Sequence, residues 1–507
     1  VVDPSASLTL AELVGQHARA RPDGRAVADG DLRLTWAELD RRAALVAGAL
    51  DLGHGDRVLW LGQNSFRVQE LLIACARAGA MFCPANWRGT ADELAFVIDD
   101  LTPTVVIGQD EEVGDAVAAA RAAADHRPAT WLTHDRGEYE ALLDGAGPPE
   151  AAPVDAADPL LLVYTAAFSG RPNAAMLSHR ALIAQGLLLA DYTEVGPDDA
   201  YLCAGPLFHV GTLMFALAAL VTGGANVFVR RNDGEEVARA IADERCTGGY
   251  VVGPMVAGVA EANADGRFDL SSFRGHRGHP GFDAMVAPDR SRWGRRAGGY
   301  GQTELMGMAT FTLLADGAEG LHGRPSPLLA MRVVDPDGVE VPTGETGELV
   351  ARGTTVMNGY WNRPEENARR RVDGWHHTGD LGRYEADGTI TFVGPLGRML
   401  KSGAENIYPA EVEGCLRSHP AVADAAVIGV PDDTWVQSVK AVVVLREEVA
   451  ADELIAHCRS RLASYKKPRT VEVVDALPRT AVGLVDYDAL DATFGGGGYP
   501  GGSTRSV

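Results

Sequence analysis

Four stretches of this chain combine residue types that could do chemistry. The first runs from Tyr164 to His179, directly after an apolar strand and before a helix. A phosphate loop at such a place needs several glycines, small hydroxyls and a lysine, so that backbone amides and one cation wrap oxyanions. Here Gly170 alone keeps that freedom, and by itself the segment reads as an ordinary loop. The second is Tyr300-Gly301-Gln302-Thr303-Glu304, approached through Gly298-Gly299. An aromatic ring with small neighbours, a hydroxyl and a carboxylate can stack a base, hold a phosphate and ligate Mg²⁺. Alone it is a weak five-residue match. The third, Gly374 to Asp380, ends on a carboxylate suited to accept both hydroxyls of a ribose. The fourth runs from Met399 to Glu413, contains Lys401-Ser402-Gly403, and opens a helix at Pro409-Ala410-Glu411.

Composition bounds what these stretches can serve. The chain has 507 residues, enough for two to four folding units. Its net charge of −23 argues against nucleic acid as a main partner. No run approaches 18 uninterrupted apolar residues, so no membrane span is expected. The opening Val1-Val2-Asp3-Pro4 does not read as a signal peptide. Six scattered cysteines without a CxxC pair suggest reduced, structural thiols and a cytoplasmic setting. Only four lysines occur: Lys401, Lys440, Lys466 and Lys467. Any lysine chemistry must therefore originate after residue 400.

The elements that would position these residues can be read coarsely. Residues 8–50 read as a strand-poor helical opening. From about 57 to 260, apolar runs alternate with Ala-rich helical segments, which predicts an α/β domain with a largely parallel sheet. Around 320–395, short β-rich pieces punctuated by Gly and Pro predict a small barrel-like or antiparallel unit. A compact α+β segment follows, with a helix at Glu411–Ser418, strands at Ala425–Val430 and Val439–Leu445, and a helix at Asp452–Ala463. Gly394 to Gly397 reads as a hinge. The division is thus 1–394, a hinge at 395–397, 398–494, and a Gly-rich tail at 495–507 that reads as disordered.

In this order and at these intervals, the stretches resemble the adenylate-forming superfamily of acyl-CoA synthetases, adenylation domains and luciferases. The resemblance extends from Leu34-Thr35-Trp36-Ala37-Glu38-Leu39 to Leu477-Pro478-Arg479-Thr480. Between them, Pro206-Leu207-Phe208-His209-Val210-Gly211 resembles the family's substrate gate. Gly347-Glu348-Leu349 and Gly359-Tyr360-Trp361 resemble its pre-hinge signature. The resemblance implies a large N-terminal domain of two α/β lobes plus a β-barrel subdomain, and a small mobile C-terminal α+β domain. It implies two half-reactions: ATP and a carboxylate give acyl-AMP and pyrophosphate, then CoA attacks the acyl-AMP.

The same resemblance assigns roles. Tyr300, Gly301, Thr303, Glu304 and Asp380 fall in the nucleotide site, with Tyr300 against adenine, Thr303 at the α-phosphate, Asp380 at the ribose and Glu304 at Mg²⁺ if the metal is bound. His209 is the gate between the acyl pocket and the pantetheine tunnel, Lys401 and Gly403 belong to the loop that lines that tunnel, and Gly397 is the hinge. It also marks losses. The family's phosphate-loop positions hold Ala166, Ala167, Phe168, Asn173 and Ala174, and its catalytic lysine is replaced by Leu484. Pro395 stands where an arginine is expected. All these losses belong to the first half-reaction. The pattern implies a non-adenylating acyl-CoA ligase with CoA as acceptor and acyl-AMP as donor, supplied by a separate adenylating enzyme. In this it is similar to the thioester-forming partner of platensimycin-type diterpenoid pathways. A complete ATP-dependent synthetase and an inactive AMP-binding scaffold are the alternatives.

Overall fold

The computed structural model describes residues 8–149, 153–165, 172–275, 278–318, 320–335, 337–396, 400–403, 405–407, 409–479 and 485–497. Two sheets form the α/β part. One runs in the order Gly359–Tyr360, Asn173–Ser178, Pro159–Thr165, Met81–Pro84, Arg57–Leu61, Val105–Gly108 and Thr130–Thr133. Its ladder is parallel from Pro159–Thr165 onward. The other runs Gly248–Gly249, Ala200–Cys203, Ala225–Phe228, Arg25–Asp29 and Leu32–Thr35. Helices Phe66–Ala78 and Val210–Thr222 are buried on nearly every side and belong to the largest apolar core. A helix buried on nearly every side belongs between layers rather than on a surface.

The expectation of a strand-poor opening is corrected. Between helices Leu10–Ala20 and Trp36–Ala49 lies a hairpin, Arg25–Asp29 with Leu32–Thr35. Its first strand buries Ala26, Val27 and Ala28 and pairs in parallel with Ala225–Phe228. The partner is distant in sequence, so local helical spacing could not reveal it. Both flanking helices begin with a capping box, Thr9 with Glu12 and Thr35 with Glu38, which satisfies first-turn amides that have no helical partner.

The third unit is the expected antiparallel one. Its ladder runs Thr310–Phe311, His322–Pro325, Ile390–Pro395, Trp375–Tyr384, Gly347–Gly353 and Leu329–Val334. The C-terminal domain carries the hairpin Val422–Asp432 and Val436–Leu445, with Leu400–Ser402, Glu405–Ile407 and Thr470–Val473 around it. Helices Pro409–Arg417 and Ala451–Arg459 cover it, close to the expected helices. Gly397 lies outside the described residues, as does the tail beyond residue 497.

Candidate active site

A cavity of about 1300 Å³ lies where the N-terminal domain meets the C-terminal domain. Tyr300, Gly301, Thr303, Glu304 and Asp380 line it, as do His209 and Lys401. These sequence-predicted residues therefore share one space.

The nucleotide end is built by a tight turn. Gly301–Gln302 pairs antiparallel with Gly307–Met308 across the short helical turn Thr303–Leu305. A Cβ at Gly301 would run into the Gly307 carbonyl, so the close backbone approach requires glycine. The Tyr300 hydroxyl donates to Asp380 Oδ2 at 2.7 Å, and Gln302 Nε2 donates to the same oxygen at 3.1 Å. Burial pushes the Asp380 carboxyl up to about 7; the Tyr300 hydrogen bond opposes this, and the nearby Glu304 charge adds to it. Burial, followed by Asp380, pushes the Tyr300 hydroxyl well above its ordinary value. The Tyr300 ring stacks on Phe392, with centroids 5.1 Å apart and planes at 15°. One of its faces is thus taken by protein, and a stacked base would have only the other.

Glu304 is 9% exposed and accepts a hydrogen bond from the Tyr360 hydroxyl at 2.7 Å. Among the described residues, no group of three or more His, Cys, Asp or Glu could hold a metal ion. A single carboxylate suits Mg²⁺ only when substrate phosphates complete the shell. Glu304 fits a metal that arrives with a nucleotide, not a resident one.

At the phosphate-loop position, strands Pro159–Thr165 and Asn173–Ser178 form a hairpin; Thr165, which ends the first strand, and Pro172, just before the second, line the cavity. Asn173 does not line the cavity. Its Oδ1 accepts from Arg363 Nε at 2.9 Å, and Arg363 Nη2 pairs with Asp100 Oδ1 at 2.6 Å. Phe168 and Leu484 lie outside the described residues.

The opposite wall comes from the C-terminal domain. His209 Nε2 shares a 3.0 Å hydrogen bond with Glu405 Oε2, and Arg88 Nη1 donates to Glu405 Oε1 at 2.7 Å. Burial works to raise the Glu405 carboxyl, but His209, Arg88 and Lys401 together hold it below its ordinary value. Burial lowers the Lys401 ammonium, with Glu405 opposing. Gly403 has φ +59° and donates its N–H to the Trp435 carbonyl at 2.7 Å. Its flanking residues Lys401 and Glu405 line the cavity; Gly403 itself does not. Gln302, Tyr360 and Glu405 sit inside motifs noticed in the sequence but had no assigned role. Arg88 carried no signal at all, since its partner is 317 residues away.

The AMP-binding enzyme family matches residues 14–361, and the AMP-binding enzyme C-terminal domain matches residues 411–484. A feruloyl-CoA synthase from Amycolatopsis sp is 38% identical over 495 residues, covering 95% of this chain and 98% of that protein. An indoleacetate–CoA ligase from Aromatoleum aromaticum is 34% identical over 504 residues, covering 95% and 97%. Among solved structures, a double mutant of o-succinylbenzoate CoA synthetase from Bacillus subtilis aligns with TM-score 0.76 at 25% identity, covering 94% of this chain and 97% of that one. Two ordered domain matches and relatives matched over nearly their whole length agree: the chain belongs to the AMP-binding enzyme family of the adenylate-forming superfamily.

Proposed function

We propose that this protein is an acyl-CoA ligase that forms the thioester from a preformed acyl-adenylate, supplied by a separate adenylating enzyme. The observation that carries the finer reading is Leu484 at the position of the family's adenylating lysine. The altered loop positions Ala166, Ala167 and Phe168 point the same way. Removing one well-placed transition-state donor typically costs about 10²–10³ in rate. The coarser activity, acyl-CoA ligation, is what the relatives' names describe.

In this reading Asp380 holds the ribose hydroxyls and Thr303 approaches the α-phosphate. The apolar wall of Val210, Met214, Met308 and Leu321 suits an apolar acyl group. The CoA thiolate attacks the acyl carbonyl carbon, a C–S bond forms, and the mixed-anhydride C–O bond breaks. AMP leaves with that electron pair, and the thiol proton passes to solvent. His209, held by Glu405, shapes the passage for the thiol.

A second reading, a complete ATP-dependent synthetase, is favoured by those relatives, CoA ligases and synthases matched over nearly their whole length. One experiment separates the two: CoA with acid plus ATP, against CoA with synthetic acyl-AMP. Turnover of acyl-AMP alone supports the split reaction, and turnover of both supports the complete enzyme. Turnover of neither, with AMP still bound, identifies a binding protein.

A further inference from the structure

One of the four lysines sits between the two domains. Lys466 Nζ lies 3.0 Å from Glu93 Oε1 and 2.7 Å from Glu411 Oε1, and its side chain is 12% exposed. Glu93 belongs to helix Ala91–Leu101 of the N-terminal domain, and Glu411 to helix Pro409–Arg417 of the C-terminal domain. All three residues line the cavity. Glu93 is oriented independently of the lysine: its Oε2 accepts from the Thr90 amide at 2.8 Å as part of a capping box. Among the described residues, the neighbouring Lys467 donates within its own segment, to the Ser464 carbonyl at 3.1 Å.

The two ion pairs differ in what they can survive. Glu411–Lys466 lies inside the C-terminal domain and moves with it. Glu93–Lys466 spans the domains, and a rotation of the C-terminal domain breaks it. The spanning pair therefore favours the arrangement seen here, in which Glu405 meets His209. A largely buried pair is screened far less than a surface pair, and removing one partner leaves a charge without compensation. Two acids on one ammonium also lessen the Glu93–Glu411 repulsion that closing the domains would otherwise create.

We propose that Lys466 is a positioning residue, a latch that holds the C-terminal domain in the arrangement that brings Lys401–Glu405 to His209. Its activity readout rests on the proposed thioester-forming function; its structural readout does not. The experiment compares wild type with Lys466→Met, Lys466→Arg, Glu93→Gln and the double variant Glu93→Gln/Lys466→Met. Lys466→Met is expected to lower kcat for thioester formation from acyl-AMP about tenfold while changing the Kd of a non-hydrolysable acyl-AMP analogue less than about twofold. Lys466→Arg should restore kcat to within about threefold of wild type, and the double variant should be no slower than Lys466→Met. Distances between spin labels on the two domains should broaden in Lys466→Met. Wild-type kcat in Lys466→Met, a parallel loss of analogue binding, or additive losses in the double variant would overturn the latch. If wild type makes no thioester from acyl-AMP, the proposed function fails and the latch is judged by the labels alone. A broadened distribution then supports it, and an unchanged one removes it.

Discussion

The two walls of the cavity are built on opposite electrostatics. The wall from the N-terminal domain carries Asp92, Glu93, Glu304 and Asp380, and among its described lining residues there is no lysine or arginine. The wall from the C-terminal domain carries Lys401, Arg417, Arg461 and Lys466, interleaved with Glu405 and Glu411. On the first wall, Asp380 and Glu304 are paired with neutral hydroxyls, those of Tyr300 and Tyr360. The second pairs its charges with one another and across the domain boundary. Among the described lining residues, the lysines and arginines thus all come from the C-terminal domain. Under the proposed function, an acyl-adenylate on the first wall would meet lysine and arginine side chains of the second in this docked arrangement.

Removing Asp380 should break this division most strongly. An ionised carboxylate accepting two hydroxyl bonds contributes about 2–3 kcal/mol or more, so Asp380→Ala should raise the KM for acyl-AMP on the order of 100-fold. Steady-state thioester formation at varied acyl-AMP measures this, and a KM within threefold of wild type would take Asp380 out of the ribose site. Smaller, and of a different kind, is His209→Ala. Its loss should fall on kcat, by about tenfold, with acyl-AMP affinity held. Glu405→Gln should show the same split, because Glu405 orients the ring. A loss confined to acyl-AMP binding would take both residues out of the thiol passage.

A pH series sharpens the contrast further. Asp380 is raised from an ordinary 3.8 to about 7. In the ligand-free protein it is protonated at acidic pH, and the protonated carboxyl accepts ribose hydroxyls poorly. Acyl-AMP affinity should therefore rise as pH passes upward through about 7, and Asp380→Asn should flatten that rise; calorimetric titration from below to above that pH reads both. The stability linkage has the opposite sense. The folded protein binds this proton more tightly than the unfolded chain, so the stabilisation is complete below the unfolded pKa and is lost as pH rises through about 7.

The smallest expected effect is at Gly403. Its backbone sits at φ +59°, and the Trp435 ring lies 3.2 Å from where an added Cβ would stand. Gly403→Ala should therefore cost about 1 kcal/mol of C-terminal domain stability. Thermal unfolding monitored by tryptophan fluorescence checks this; an unchanged midpoint would show that the turn relaxes.

What could be read from the sequence was what is written contiguously. The Tyr300–Glu304 turn, Asp380 at its strand and the Lys401–Glu405 loop each carry their chemistry in a few adjacent residues, and their order along the chain identified the family. The alternation of apolar runs and helical segments identified the α/β class for the same reason, because helix and strand periods are local. The opening hairpin escaped, since Arg25–Asp29 becomes a strand only by pairing with Ala225–Phe228. Asn173 shows another limit. Its type marked an altered loop position, but only packing turns its amide onto Arg363 and away from the cavity. The partners of the site's charges lay furthest from view. Glu405 meets His209 across 196 residues, and Lys466 meets Glu93 across 373. Sequence by itself singled out the candidate side chains. Which of them are paired, buried and held together was decided by how the two domains dock, because the energy of a charge depends on its neighbours in space and its distance from water.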